Sequence, residues 1–422
     1  MSLEHHLDQL ISREQEPVTI DETLRRGVEI ILPDRSSLQS EMEQRKVRLY
    51  LGIDATSPNL HIGHTVPLRK LRQFQDLGHE VIFLFGGFTS LIGDPSDKSA
   101  TRQRLTPEQV EYNMATYVDQ AARILDFSPN SPNPIKIMNN AEWLSKLTLA
   151  EVIDIQANFT VQQMLERNMF QERVQAGKPI WLQEFSYPWM QGWDAVAMNV
   201  DIEVGGKDQL FNMLVGQTLV RRYKDHEKWV IGTKLIEDPS GKKMGKTEGN
   251  IVNILDWPEV KYEGVMAWPD TAIGVGFELI TSVPMEAVYQ IQEEVLPQTL
   301  EGTSGIHPME LKEALAFRMV LELDGEDAAV YAREEFDRVK RQRLLPRRIQ
   351  EINVHADSSF LQILVDSNLA PNETEAQRLI ASGAIYIDGK KETKNRNWGK
   401  SDGTIQIGTK TIRNVRRIVL QV

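Results

Sequence analysis

The chain has 422 residues, a formal net charge of −12 and no cysteine. That length outgrows a single hydrophobic core, so two or three domains are expected. The missing cysteines exclude disulfides, thiolate metal sites and thiol nucleophiles, and the acidic balance excludes nucleic-acid binding by the surface as a whole.

The segment Met1 to Glu16 is polar, and no apolar run approaches the roughly 18 residues of a membrane span, so a soluble cytoplasmic protein is expected. From Val47 to Asp54 an apolar run predicts a strand, followed by a helix ending near Gly78 and a second buried strand over Glu80 to Gly87. Strand, helix and strand in this order predict one βαβ unit of a parallel sheet, which binds nucleotides where its strands end. Thr106 to Gln109 and Thr148 to Glu151 have capping-box spacing and predict helix starts. Further strands are expected at Ile135 to Met138, Asp201 to Val204 and Trp229 to Gly232, followed by a polar mobile loop over Thr233 to Asn250. Residues from Trp257 to Lys340 read as helical, and Gln342 to Asp357 as a basic, proline-interrupted linker. The carboxy-terminal stretch reads as two short helices, Phe360 to Ser367 and Glu373 to Ser382, then strands turning at Asp388-Gly389 and Asp402-Gly403.

The leading chemical signal is His61-Ile62-Gly63-His64, at the hand-over from the first strand to its helix. The spacing predicts both imidazoles on one helix face, beside the unpaired N–H groups of the helix start, an arrangement suited to phosphate. Neutral histidines there can donate to charge growing on phosphate oxygens. A second signal, Lys243-Met244-Gly245-Lys246-Thr247, falls inside the expected mobile loop, where paired ammonium groups can clamp a departing pyrophosphate.

Together these two motifs resemble the paired signatures of class I aminoacyl-tRNA synthetases, and the motifs between them resemble those of tyrosyl-tRNA synthetases over essentially the whole chain. The resemblance implies an α/β fold in three parts. These are a Rossmann-like parallel-sheet catalytic domain over 1–235, the KMGKT loop and an α-helical anticodon-recognition domain over 236–345, and a linker with a small α+β RNA-binding domain over 346–422. It implies roles residue by residue. Tyr50, Asp54, Asp94, Asn140, Tyr187, Gln191 and Asp194 would line the tyrosine site, with Tyr50 and Asp194 reading the phenolic hydroxyl. Thr56, His61, Gly63, His64, Gly205, Asp208, Gln209, Lys243, Met244 and Lys246 would meet ATP, with Lys98, Arg102 and Thr247 completing the catalytic set. Asp97, Lys207, Gly245 and Thr247 depart from the residues usual in the family.

The last 65 or so residues resemble the RNA-binding fold first named for a small-subunit ribosomal protein, which would put Arg378, Lys390 and Lys391 on RNA. The implied partners are L-tyrosine, ATP with Mg²⁺ as substrate and tRNA(Tyr), in a homodimer that holds no metal of its own and does not edit. A tryptophan–tRNA ligase is the nearest alternative. A different nucleotidyltransferase, or an RNA-binding scaffold with a vestigial site, stands further off.

Overall fold

The computed structural model describes residues 12, 17–95, 105–237, 251–303, 305–355, 357–367, 369–395, 397–398, 402–408 and 415–420. These residues form two compact units, one of 1–255 with 269–311 and the other of 256–268 with 312–422.

The first unit is built on a six-stranded sheet in the order β1-β6-β5-β2-β3-β4. Strands β2 (Arg48–Ile53), β3 (Glu80–Phe85), β4 (Lys136–Asn139), β5 (Ile202–Gly206) and β6 (Trp229–Thr233) run parallel, and β1 (Val28–Leu32) joins β6 antiparallel. The central strands read as continuous apolar runs because both faces are covered; Val81, Ile82, Phe83 and Leu84 are all buried. The expected βαβ unit is present, with helix Thr65–Asp76 joining β2 to β3, whose register runs from Arg48↔Glu80 to Ile53↔Phe85. Strand β2 leads to β3 on one side and lies against β5 on the other, so the chain's direction of travel across the sheet changes between β2 and β5. Crevices at such points, beyond the carboxyl ends of the strands, are where open α/β sheets bind ligands.

Both expected capping boxes form, at Thr106 with Gln109 and at Thr148 with Glu151. Strand β1 was not expected. Its partner β6 supplies the ladder through pairs such as Ile31↔Ile231, although Glu29 interrupts the apolar pattern.

The compact units divide the chain differently from the three expected domains. Residues 269–311 join the sheet unit, and the physical reason lies at Arg26. This buried guanidinium donates to the carbonyls of Phe277, Glu278, Thr281 and Val283, closing the carboxyl end of helix Ile273–Ile280. Glu278 on that helix accepts from Gly27 N at 3.0 Å and from Lys234 Nζ at 2.8 Å, tying it to the β1 and β6 edge.

In the second unit, helix Pro258–Met266 packs on helix Glu326–Lys340, and the buried Lys261 ammonium is paired with Asp324 at 2.7 Å. A five-stranded sheet follows in the order β7-β11-β10-β8-β9, comprising β7 (Gln350–Val354), β8 (Ile385–Ile387), β9 (Lys390–Glu392), β10 (Gly403–Ile407) and β11 (Val415–Leu420). Helices Phe360–Asp366 and Glu373–Ala381 cover it around Phe360, Ile380, Ile385, Ile405 and Ile418. Two expectations are corrected here. The 342–357 linker contains β7, because the alternating Ile352 and Val354 can pair parallel with Ile418 and Leu420. Asp402-Gly403 leads directly into β10, whereas Asp388-Gly389, both at positive φ, makes the expected tight turn between β8 and β9.

Candidate active site

His61 does not lie within a helix, as the spacing predicted. It caps a short 3-10 turn, Ile62–His64, that feeds helix Thr65–Asp76. Gly63 N donates to His61 Nδ1 at 3.1 Å, and His61 N donates to His64 Nδ1 at 3.0 Å. The two rings lie 3.9 Å apart between centroids. A Cβ at position 63 would sit 2.8 Å from His61 Cε1, so the close approach requires glycine there. Because each Nδ1 accepts a backbone N–H, each neutral ring carries its proton on Nε2. The motif therefore offers two imidazole donors at the head of a helix. Ile62 N also donates to Val252 O at 2.8 Å, which anchors the turn from across the unit.

The strand ends bring together most of the residues assigned to the amino-acid pocket. Asp54, just past β2, accepts from Thr89 Oγ1 at 2.7 Å and from the Tyr187 hydroxyl at 2.9 Å. Room for this carboxylate comes from Gly86, where a Cβ would lie 2.0 Å from Asp54 Oδ1. Asn140, at the end of β4, donates to Thr89 Oγ1 at 3.0 Å and to Asp194 Oδ2 at 3.1 Å. Trp143 Nε1 donates to Asp194 Oδ1 at 2.7 Å. Tyr187, Gln191 and Asp194 do share helix Ser186–Met198, as their spacing predicted. Tyr50 on β2 is buried beside them, its hydroxyl 3.4 Å from the Gln191 carbonyl oxygen.

Burial dominates the electrostatics. It pushes the Asp54 carboxyl up to about 7, against the two hydrogen bonds it accepts. Burial likewise holds the Asp194 carboxyl well above the ordinary range, opposed by Asn140 and Trp143. The Tyr50 phenol is raised by burial first and then by the charges of Glu203 and Asp194.

A second chain of contacts reaches Asp94. Its carboxylate accepts from Gln209 Nε2 at 2.7 Å and from the buried Arg167 at 3.2 Å. Asn212 Nδ2 bridges Gln209 Oε1 and Gln191 Oε1, each at 3.0 Å, and Gln191 Nε2 donates to Glu203 Oε1 at 2.8 Å. Gly205 and Gly206 close β5 immediately before Lys207–Gln209. A Cβ on Gly206 would lie 2.4 Å from Asp208 Oδ1, so the glycine leaves room for the Asp208 carboxylate in its present position. Lys207 is paired with Glu237 at 2.8 Å, and Thr56 is exposed after β2.

Sequence reasoning missed Thr89, Trp143, Arg167, Glu203, Asn212 and Lys228, which complete these chains of contacts. Trp143 carried a signal, since an indole N–H two residues past the helix start at Ala141 needs an acceptor when buried. Lys98, Arg102, Lys243, Met244, Gly245, Lys246 and Thr247 lie outside the described residues. In the second unit, exposed Arg378 is paired with Glu375 at 2.6 Å, and Lys390 and Lys391 are exposed on β9.

A family model described as tRNA synthetases class I (W and Y) matches residues 42–339 of this chain, which sets the class. The tyrosine–tRNA ligase of Moorella thermoacetica is 39% identical over 387 residues, covering 90% of this chain and 91% of that protein. That of Thermotoga maritima is 37% identical over 369 residues, covering 87% and 89%. A truncated mitochondrial tyrosyl-tRNA synthetase of Aspergillus nidulans shares the fold with a TM-score of 0.64 at 23% identity, covering 80% of this chain and 98% of that one. The chain belongs to the bacterial-type tyrosyl-tRNA synthetases within class I. It is accordingly an ATP-dependent aminoacyl-tRNA ligase.

Proposed function

We propose that the chain activates L-tyrosine with MgATP, forming tyrosyl-adenylate and pyrophosphate, and then transfers the tyrosyl group to the 3′ end of tRNA(Tyr) without editing. The observation that carries this reading is the buried Asp194 carboxyl, fixed by Asn140 and Trp143 beside Tyr50. A hydroxyl placed between Tyr50 and Asp194 completes that polar pocket, whereas a bare ring leaves it unsatisfied. In this reading Asp94, Asp54, Tyr187 and Gln191 receive the substrate ammonium end. His61 and His64 donate through Nε2 to the phosphates as the tyrosine carboxylate displaces pyrophosphate. Gly205, Asp208, Gln209 and Thr56 accommodate the adenosine. The lysines of KMGKT, with Lys98, Arg102 and Thr247, take the charge of the leaving pyrophosphate. No protein nucleophile is required.

The enzyme is proposed to work in the cytoplasm as a homodimer, with residues 236–345 facing the anticodon and the 346–422 module on tRNA through Arg378, Lys390 and Lys391. The exposed apolar side chains Leu149, Ile153, Val161, Trp181 and Leu182, on one stretch of the first unit, support a partner surface there. Among the described residues no helix is long and apolar enough to cross a membrane.

Exchange of pyrophosphate into ATP, run with tyrosine, tryptophan and phenylalanine in parallel, tests the reading. Stimulation by tyrosine alone is expected. Stimulation by tryptophan alone would reassign the substrate, and no stimulation by any of the three would leave the ligase reading without support.

A pH dependence follows from Asp54. Its folded carboxyl keeps its proton up to about 7, while an unfolded one loses it near 3.8. Its contribution to stability is therefore full at low pH and lost as pH rises through about 7. A substrate ammonium beside Asp54 favours the ionised form, so binding releases a proton below that pH. Tyrosine affinity is expected to rise between pH 5.5 and about 7.5, then level off. Titration calorimetry across this range checks it; an Asp54→Asn chain that keeps the same slope would count against Asp54 as the source.

A further inference from the structure

Beneath the pocket lies an ion pair that the proposed chemistry does not use. Lys228, just before β6, and Glu203, on β5, are both buried, and the Lys228 ammonium is hydrogen-bonded to the Glu203 carboxylate. Lys228 Nζ donates as well to the Met213 carbonyl at 2.9 Å. The space for this ammonium is made by glycines. A Cβ on Gly216 would fall 2.5 Å from Lys228 Nζ, and one on Gly192 would fall 3.0 Å from Gly216 N, so helices Ser186–Met198 and Leu210–Lys224 approach closely over the pair.

What the pair supplies is direction. An ionised carboxylate only accepts hydrogen bonds, whereas a glutamine or asparagine amide can present either its donor or its acceptor end. With one oxygen of the Glu203 carboxylate accepting from Lys228 and the other facing Gln191, Gln191 must turn its NH₂ group to Glu203. Its carbonyl then faces Asn212, whose other N–H meets the carbonyl of Gln209, whose NH₂ in turn meets Asp94. Asn212 donates both ways, and among the described residues its buried Oδ1 has no partner. That is the expected result of running two acceptor-terminated chains into one amide. A neutral residue in place of Glu203 could itself donate or accept, and the amide orientations would no longer be determined from that end.

We propose that the buried Lys228–Glu203 ion pair is a positioning device for tyrosine recognition, fixing the amide orientation of Gln191 from one side of Asn212 while Asp94 fixes that of Gln209 from the other. The proposal rests on the reading of this pocket as the tyrosine site. Neither residue is catalytic; each acts through the side chains above it. Glu203 also adds its charge near the Tyr50 hydroxyl, which couples the same pair to the hydroxyl-reading end of the pocket.

The test compares the full chain with Lys228→Met, Glu203→Gln and the double variant, in pyrophosphate exchange and in thermal melting. Each single change leaves a buried charge or its partner unmatched and is expected to lower Tm, whereas the double change removes both charges and recovers most of it. The KM for tyrosine is expected to rise roughly 10- to 100-fold in Glu203→Gln and to stay raised in the double variant. The KM for ATP should move much less, and selectivity against phenylalanine should fall. A double variant with wild-type KM for tyrosine and wild-type selectivity would overturn the proposal. So would equal losses for tyrosine and ATP that track Tm, because those mark a purely structural pair. If the unmodified chain shows no tyrosine-dependent exchange, the parent reading falls and this one with it; an active parent with unaffected variants sinks the positioning role alone.

Discussion

Replacing Asp194 by alanine is expected to abolish useful tyrosine activation while sparing ATP binding. The carboxyl is buried on helix Ser186–Met198 with one oxygen on Asn140 and the other on Trp143, so it cannot turn away from the pocket. The substitution removes the acceptor for both donors and the group proposed to meet the substrate hydroxyl. Each buried donor left without a partner costs about 1–3 kcal/mol, so some stability is lost too. The larger effect falls on selectivity. Rejection of a substrate lacking a hydroxyl depends on polar groups that it would leave unpaired, and tyrosyl-tRNA synthetases are themselves the standard example, at about 10⁵-fold without editing. With Asp194 gone, kcat/KM for tyrosine should drop by at least ~10³-fold, about 4 kcal/mol, while that for phenylalanine changes little. Asp194→Asn is the sharper companion. Its amide has one oxygen for two donors, so either Asn140 or Trp143 must face an N–H. Exchange rates with both amino acids, alongside the melting temperature, check the expectation. Parallel losses for tyrosine and phenylalanine would mean that Asp194 supports the fold without reading the hydroxyl.

How far the sequence reveals this site depends on whether the partners are near in the chain. The turn of His61 to His64 is contiguous, and its place after a βαβ strand is legible, because apolar runs broken by turn residues mark strands directly. The three polar side chains of Tyr187, Gln191 and Asp194 are legible for the same reason, through helical spacing on one segment. Asp94 and Gln209 are 115 residues apart, and no local pattern announces that they bond. Lys228 and Glu203 are harder still. A lysine before a strand and a glutamate within one ordinarily read as solvated, and only the close crossing at Gly192 and Gly216 reveals them as buried. The same limit applies to the fold. Strand β1 needs β6 to exist, and β7 sits in a basic stretch whose pairing partner lies more than 60 residues on, in β11. Arg26 shows the converse. One ordinary arginine gathers four carbonyls from residues 277–283 and so draws a helix expected in another domain onto the sheet unit.

Substitution at His64 should separate capping from catalysis. Its Nδ1 accepts the His61 backbone N–H at 3.0 Å, which leaves Nε2–H as the donor proposed to meet phosphate. Asparagine places an acceptor near the position of Nδ1 but no donor as far out as Nε2. Glutamine reaches the Nε2 position with an N–H but fits the cap poorly. His64→Asn is therefore expected to keep most of the stability and to slow adenylate formation about 10²- to 10³-fold, the usual cost of removing one donor to developing charge. His64→Gln should melt earlier, by the loss of a cap of about 1 kcal/mol, yet retain more of the rate. Tyrosine binding should be nearly unchanged in both, because the imidazole acts on phosphate. Single-turnover formation of the adenylate, measured with equilibrium tyrosine binding, distinguishes the two. If rate followed stability, with asparagine active and glutamine not, His64 would be a capping residue and the phosphate would have to be held by other donors at the head of helix Thr65–Asp76.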